Sequence, residues 1–152
     1  MNAPMNEISH PTPESVLIRR WFAAPPALLW KFWTEPEHIV RWFGPVGVTC
    51  ERAEADLRPG GAWGIDMRGE NRHRVRGVYE MVDAPMRLRS TWAWLEEDDT
   101  LGPESVYEVE ITPEGDGALL MLRHTLATAD AAQNHKNGWT SSFEKLAEAV
   151  AA

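Results

Sequence analysis

The chain has 152 residues, 43% of them hydrophobic and 25% charged, which is the size and composition of one ordinary globular domain. Its formal net charge of -8 disfavours binding to nucleic acid or to an anionic membrane surface, and no apolar stretch reaches the length of a membrane span. The single cysteine, Cys50, excludes an internal disulfide and a cysteine-rich metal site. Because the N-terminus also lacks a signal-peptide pattern, we expect a cytoplasmic protein.

The N-terminal part of the chain predicts a tail, a strand and two short helices. Residues 1–14 contain three prolines and no periodic apolar pattern, which predicts a disordered tail before one domain over 15–152. SVLIRRWF (15–22) is rich in β-forming residues and predicts a strand. Two prolines then open a short helix over ALLWKFWT, and EPEHIVRWF predicts a second one that Gly44 and Pro45 end.

The middle of the chain predicts a series of strands joined by short turns. The six predicted strands are 48–57, 62–69, 72–82, 86–95, 105–112 and 118–127. In AWGIDMRG, for example, Trp63, Ile65 and Met67 alternate with Gly64 and Asp66, which is typical of a strand with one buried face. Such a succession predicts an antiparallel meander that buries one side of the sheet.

The C-terminal segment, from near Asp130, predicts a long amphipathic helix. Spacings of three and four from His135 select an apolar stripe that includes Gly138, Trp139 and Phe143. Glycine inside a helix costs about 1 kcal/mol relative to alanine. We therefore expect Gly138 to allow a close approach of the helix to a strand or a ring, so that Gly138→Leu would destabilise the protein.

One long helix and one antiparallel sheet have few ways to bury their apolar faces, so we expect the helix to lie across the concave side of the sheet. The fold class is therefore α+β. Arg20 shares a strand face with Ile18 and Phe22 and needs an acidic partner there, for which Glu80 is a candidate. On the outer face, we expect a row of arginines to be paired across strands with acidic residues.

Four stretches of this chain resemble a known family. They are RWFAAPPALLWKFWTEPEHIVRWFGP (20–45), DLRPGGAW (56–63), GVYEMVDAPMRLRSTWAW (77–94) and HKNGW (135–139). On these residues the chain is similar to bacterial proteins that resemble the C-terminal domain of the activator of the heat-shock protein 90 ATPase. That family belongs to the START-like (Bet v 1-like, SRPBCC) superfamily. The resemblance implies a helix-grip fold, a curved antiparallel sheet of about seven strands wrapped around a long C-terminal helix, with two short helices after the first strand.

The resemblance also implies a cavity between the long helix and the sheet. By alternation and helical spacing, the residues expected to line it are Trp33, Trp42, Phe43, Trp63, Ile65, Met67, Val75, Tyr79, Leu88, Trp92, Trp94, Tyr107, Leu122, His124, His135, Trp139 and Phe143. The chain contains eight tryptophans, which either line a pocket or fill the space between the layers. The composition leaves both outcomes open.

Three functions follow from this reading. We favour a non-enzymatic protein that binds a small hydrophobic or amphipathic molecule. A co-chaperone-like interaction module is the second hypothesis, because of the family. The third is a cyclase- or hydrolase-type enzyme that uses His124 or His135 with Tyr79, since histidine titrates near neutrality. The sequence has no nucleophile elbow and no metal signature, so we expect no metal and no cofactor, and we leave a chaperone partner and a homodimer open.

Overall fold

The computed structural model describes residues 6–151. Eight antiparallel strands form one sheet in the order β1-β2-β8-β7-β6-β5-β4-β3. The strands are β1 (Asn6–Ser9), β2 (Ser15–Phe22), β3 (Thr49–Ala55), β4 (Ala62–Arg68), β5 (Arg72–Asp83), β6 (Arg87–Leu95), β7 (Ser105–Glu114) and β8 (Gly117–Thr125). The helices are α1 (Pro26–Thr34), α2 (Pro36–Ile39) and α3 (Ala129–Ala151). This architecture confirms the predicted α+β helix-grip fold.

Strand β1 lies within the segment that the sequence predicts to be disordered. It pairs with β2 at the sheet edge, with Asn6 opposite Arg20 and Ile8 opposite Ile18. After β1, a turn is closed by the Thr12 amide, which donates to Ser15 Oγ at 3.0 Å. The prediction of a disordered tail is therefore wrong for residues 6–14, and residues 1–5 lie outside the described part. NEIS contains one apolar residue, so its pairing with β2, and not its own pattern, makes it a strand.

Glu35 separates the two short helices, and a proline opens the second. Thr34 ends α1, and its hydroxyl donates to the Trp30 carbonyl at 2.9 Å. Pro36 has no N–H to continue the helix and opens α2. Helix α2 is shorter than predicted. After it, hydrogen-bonded turns continue up to Phe43, whose amide donates to the Ile39 carbonyl at 3.0 Å.

Helix α3 packs its apolar stripe against the sheet, as predicted. Phe143 meets Phe22 of β2 edge to face, with ring centroids 5.9 Å apart. At the solvent side of this contact, Arg20 pairs with Glu144 of α3 at 2.9 Å. The expected Arg20–Glu80 pair is wrong, because Glu80 lies on the outer face and pairs with Arg89 at 3.4 Å. The charge of Arg20 thus ties the helix to the sheet.

Five arginines on the outer face of the sheet form ion pairs with acidic residues. The pairs are Arg72–Glu97, Arg74–Asp99, Arg76–Asp66, Arg87–Asp83 and Arg89–Glu80. Each such exposed pair contributes little to stability, but together the acidic partners neutralise the row. No helix between residues 6 and 151 is both long and apolar enough to cross a bilayer.

Candidate functional site

A cavity of about 390 Å³ lies between the N-terminal half of α3 and strands β4, β5 and β6. Three elements form its wall: one face of α3, the inner face of the sheet, and the loop that follows α2. The wall residues are Phe43, Gly44, Pro45, Val48, Met67, His73, Trp92, Trp94, Ala131, Asn134, His135, Gly138, Trp139 and Ser142.

Gly138 lies on the face of α3 that borders this cavity. A Cβ atom added to Gly138 would meet no other atom within 4 Å, apart from its chain neighbours and the nearby helix backbone. The expectation that this glycine allows close packing is therefore wrong. Helical periodicity correctly identified the inward face, but at this position the helix faces the cavity and not a strand or a ring.

The loop after α2 closes one side of the cavity. Gly44 (φ 101°) and Gly47 (φ 91°) adopt left-handed backbone conformations that favour glycine. The loop is fastened to α3, because the Val46 amide donates to Ser141 Oγ at 2.8 Å and Lys145 Nζ donates to the Val48 carbonyl at 2.8 Å. Two side chains of α3 thus hold the loop in place as a wall.

The sheet side of the cavity is aromatic. Trp92 is buried, and its ring stacks against Phe43 with a centroid distance of 5.9 Å. Trp94 lies on the same strand face as Trp92 but is 36% exposed. Together with His73 and Asn134, which are also exposed, Trp94 marks the mouth of the cavity.

The structure divides the 17 predicted lining residues into two groups. Six border the cavity: Phe43, Met67, Trp92, Trp94, His135 and Trp139. The other eleven are buried in the packed core behind or beside it and are not part of its wall: Trp33, Trp42, Trp63, Ile65, Val75, Tyr79, Leu88, Tyr107, Leu122, His124 and Phe143. Their rings fill the space, as in the stack of Trp33 on Trp139 at 5.6 Å. Tryptophans therefore both fill part of the interior and line what is left.

Eight wall residues were not among the predicted ones: Gly44, Pro45, Val48, His73, Ala131, Asn134, Gly138 and Ser142. The signal for His73 was present, since it alternates in phase with Val75 on β5. Asn134, Ala131 and Ser142 follow the helical spacing around His135 and Gly138. The residues of the loop after α2 have no periodicity, so no sequence signal could have placed them.

His124 is part of a fully buried chain of hydrogen bonds. The Trp139 indole Nε1–H donates to His124 Nδ1 at 3.0 Å, and His124 Nε2 lies 2.8 Å from Ser105 Oγ. An indole nitrogen can only donate, so Nδ1 must accept, and the neutral ring carries its proton on Nε2. Nε2–H then donates to Ser105, whose hydroxyl donates to the Trp92 carbonyl at 3.1 Å. Both ring nitrogens of His124 are therefore occupied.

Burial keeps both inward histidines neutral. It lowers the pKa of His124 well below its ordinary value, and the neighbouring His135 lowers it further. Burial also lowers the pKa of His135 to about 4. Burial raises the pKa of Tyr79, and it raises that of Tyr107, with a further contribution from Tyr79. Of these four groups only His135 borders the cavity, so the predicted His124–Tyr79 combination does not converge on it.

Comparison with known proteins identifies the family. Residues 23–151 match the family described as Activator of Hsp90 ATPase homolog 1-like protein. The chain belongs to this family. The resemblance seen in the sequence is thereby confirmed, together with membership of the START-like, SRPBCC superfamily.

Solved structures of the same architecture cover most of the chain. The AHSA1 protein from Silicibacter pomeroyi is 31% identical, with a TM-score of 0.80 over 90% of this chain and 97% of that one. Protein CV1439 from Chromobacterium violaceum is 26% identical, with a TM-score of 0.80 over 91% and 98%. A protein from Arthrobacter aurescens, 18% identical with a TM-score of 0.84 over 95% and 91%, shows the fold alone. No curated protein matches the chain.

Outside the cavity, one group of side chains among residues 6–151 has the composition of a metal site. Possible ligand atoms of Glu35, Glu37 and His38, at the start of α2, lie within 4.8 Å of one another. His38 Nε2 lies 3.5 Å from Glu35 Oε1, and the histidine ring packs on Phe32 with a centroid distance of 4.5 Å. These contacts account for the arrangement, which supports no metal assignment.

Proposed function

We propose that the protein binds a small hydrophobic or amphipathic molecule in the cavity beneath α3. The observation that carries the proposal is the open space beside Gly138, on the buried face of a helix that otherwise packs tightly. Ligand sites in proteins are mostly apolar hollows of roughly 300–1000 Å³ with a few polar groups, and a cavity of about 390 Å³ falls in this range.

The family supports the same proposal, because proteins of this START-like group commonly bind hydrophobic ligands. The wall fits that use. Phe43, Trp92 and Trp139 provide buried apolar surface, and a ligand can enter through the mouth beside the exposed Trp94. Burying apolar ligand surface against such rings contributes about 25 cal/mol per Å² before the entropy of association is subtracted.

Binding is favoured over catalysis by the state of the polar groups. A general acid or base must reach the substrate and exchange a proton near neutral pH. Both nitrogens of His124 are engaged in hydrogen bonds, and Tyr79 is buried outside the cavity wall with a raised pKa. His135 alone of the proposed catalytic groups borders the cavity, and one histidine without a partner is better suited to holding a ligand than to chemistry.

We also propose a cytoplasmic location and no nucleic-acid partner. The single cysteine, Cys50, is a free buried thiol, and the absence of disulfides is usual in a reducing compartment. The net charge of -8 and the paired arginines of the outer face speak against an anionic partner. The name of the family favours a co-chaperone role, but no feature of the cavity supports one.

The test is native mass spectrometry of the protein purified from cells, compared with Gly138→Leu. We expect the wild-type protein to carry a bound molecule that the variant lacks, since a leucine there occupies the cavity. The matched control is Asn137→Leu, which adds the same side chain on the exposed face of α3 and should retain the molecule. Identical spectra for the wild-type protein and Gly138→Leu would count against the proposal.

A further inference from the structure

We infer that the ligand is an uncharged aromatic molecule of two or three rings, and that His135 is its hydrogen-bonding anchor. This inference rests on the proposed function and goes beyond it by naming the chemical class of ligand and the residue that selects it.

The absence of charge follows from the composition of the cavity wall. Within the described residues, the wall contains no carboxylate, ammonium or guanidinium group. Lys145 of α3 lies outside the wall, and its ammonium is bonded to the Val48 carbonyl at 2.8 Å and to the Pro45 carbonyl at 3.5 Å. His135 is neutral at pH 7 because burial lowers its pKa to about 4. A charged ligand would lose its hydration here without gaining a counter-charge.

The aromatic character follows from the arrangement of the rings. Phe43 meets Trp139 edge to face, with an interplanar angle of 77°, and Trp92 meets Trp94 at 89°. Phe43 and Trp92 stack at 28°. The rings around the cavity thus pack on one another in both geometries that aromatic pairs prefer, and a ligand ring can join this cluster in either of them. A rigid ring system extends this cluster, whereas a flexible aliphatic chain loses conformational entropy when it is confined.

The size of the cavity accommodates a small ring system. Its volume of about 390 Å³ is near the lower end of the range for ligand sites, roughly 300–1000 Å³. Two or three rings fit such a volume. Longer molecules would have to extend through the mouth, past Trp94.

His135 is the polar group placed to fix the orientation of the ligand. Its ring packs perpendicular to Trp92 at 5.6 Å and to His124 at 4.7 Å, and these neighbours hold it in position. Neither of its nitrogens hydrogen-bonds to another residue of the 6–151 segment, so one donor and one acceptor are free. His124 has no free nitrogen, and the unpaired Trp92 Nε1 is covered by surrounding atoms.

The experiment is an NMR titration at pH 7 that follows the tryptophan indole N–H signals. Four probes are compared: naphthalene, its hydroxyl derivative naphthol, its carboxylate derivative naphthoate, and the aliphatic alcohol decanol. We expect naphthol to bind tightest, by about three- to tenfold over naphthalene, which is the effect of one neutral hydrogen bond. Naphthoate should bind at least about tenfold more weakly than naphthol because its charge has no partner, and decanol should also bind more weakly.

Variants at His135 locate the hydrogen bond. His135→Phe keeps an aromatic ring and should reduce the affinity for naphthol to that for naphthalene, while naphthalene binding is unchanged. His135→Gln keeps a donor and an acceptor and should retain the preference for naphthol. His10→Phe, at an exposed histidine in the turn after β1 and away from the cavity wall, is the matched control and should behave like the wild-type protein.

The outcomes separate this inference from the proposed function. Equal or tighter binding of naphthoate or decanol, or an unchanged preference for naphthol in His135→Phe, would overturn the inference and leave a binding cavity in place. If none of the four probes binds, the inference is wrong, and native mass spectrometry of the wild-type protein and Gly138→Leu decides the proposed function separately.

Discussion

The indole Nε1–H of Trp139 donates a 3.0 Å hydrogen bond to Nδ1 of His124, and this buried bond joins α3 to β8. Through Ser105 the chain continues to the backbone of β6, at the Trp92 carbonyl. Two of the three tryptophans that border the cavity, Trp139 and Trp92, are thus linked by a buried polar chain. His124, which alternation placed among the lining residues, acts behind the wall and orients Trp139.

His124→Phe should lower the free energy of unfolding by about 1–3 kcal/mol. The substitution leaves the Trp139 indole N–H without an acceptor in the core, and an unsatisfied buried group costs about that amount. Urea denaturation measures the change, with His73→Phe on the exposed part of β5 as the control that should lose little. Equal stability of His124→Phe and the wild-type protein would mean that the polar chain contributes nothing to the fold.

The protein should lose stability as the pH falls below about 6.5, the ordinary pKa of histidine in an unfolded chain. Folding lowers the pKa of both His124 and His135, so the unfolded chain binds more protons below that pH. The contribution of His135 is present above about pH 6.5 and is lost as the pH falls towards its folded pKa of about 4. Urea denaturation between pH 7.5 and 4.5 measures this loss.

The control for the pH dependence is the double variant His124→Gln/His135→Gln. Carboxylates titrate in both proteins at the acid end of the range. The difference between the two curves of unfolding free energy against pH therefore gives the contribution of the two histidines alone. The variant curve should be flatter between pH 6.5 and about 4.5. Parallel curves would show that neither histidine is kept neutral by the fold.

Lys145→Met should loosen the loop at 44–48 with little effect on the rest of the fold. The substitution removes the donor to the Val48 carbonyl, while the bond from the Val46 amide to Ser141 Oγ remains. Hydrogen exchange should show faster exchange of the Val48 amide, which donates to Pro45 within the loop. Lys136→Met on the same helix is the control, and unchanged exchange in Lys145→Met would show that this tether does not hold the loop.

The sequence predicts the layers of this fold well. Each layer buries one face, and the spacing of the apolar residues along a strand or helix indicates which face that is. β4 through β8 and α3 were predicted within a few residues for this reason. Periodicity reports the direction of a side chain but not what lies opposite it. Trp94 points inward as predicted and is still 36% exposed, because it lies near the end of β6 at the cavity mouth. Gly138 likewise lies on the inward face, with open space opposite.

Other features depend on partners that are distant in the sequence. β1 becomes a strand only through the free edge of β2. The partner of Arg20 is Glu144, 124 residues away, and no local pattern indicates it. Nor does the sequence reveal that both nitrogens of His124 are occupied by hydrogen bonds within the core.

The most direct test of the binding cavity is the affinity for naphthol of Gly138→Leu, measured beside its thermal stability. Because a Cβ at this position meets open space, Gly138→Ala should raise the free energy of unfolding by up to about 1 kcal/mol. Gly138→Leu should keep the melting temperature of the wild-type protein and bind naphthol at least about tenfold more weakly, since its side chain occupies the cavity. Wild-type affinity in Gly138→Leu would contradict a binding site beside α3.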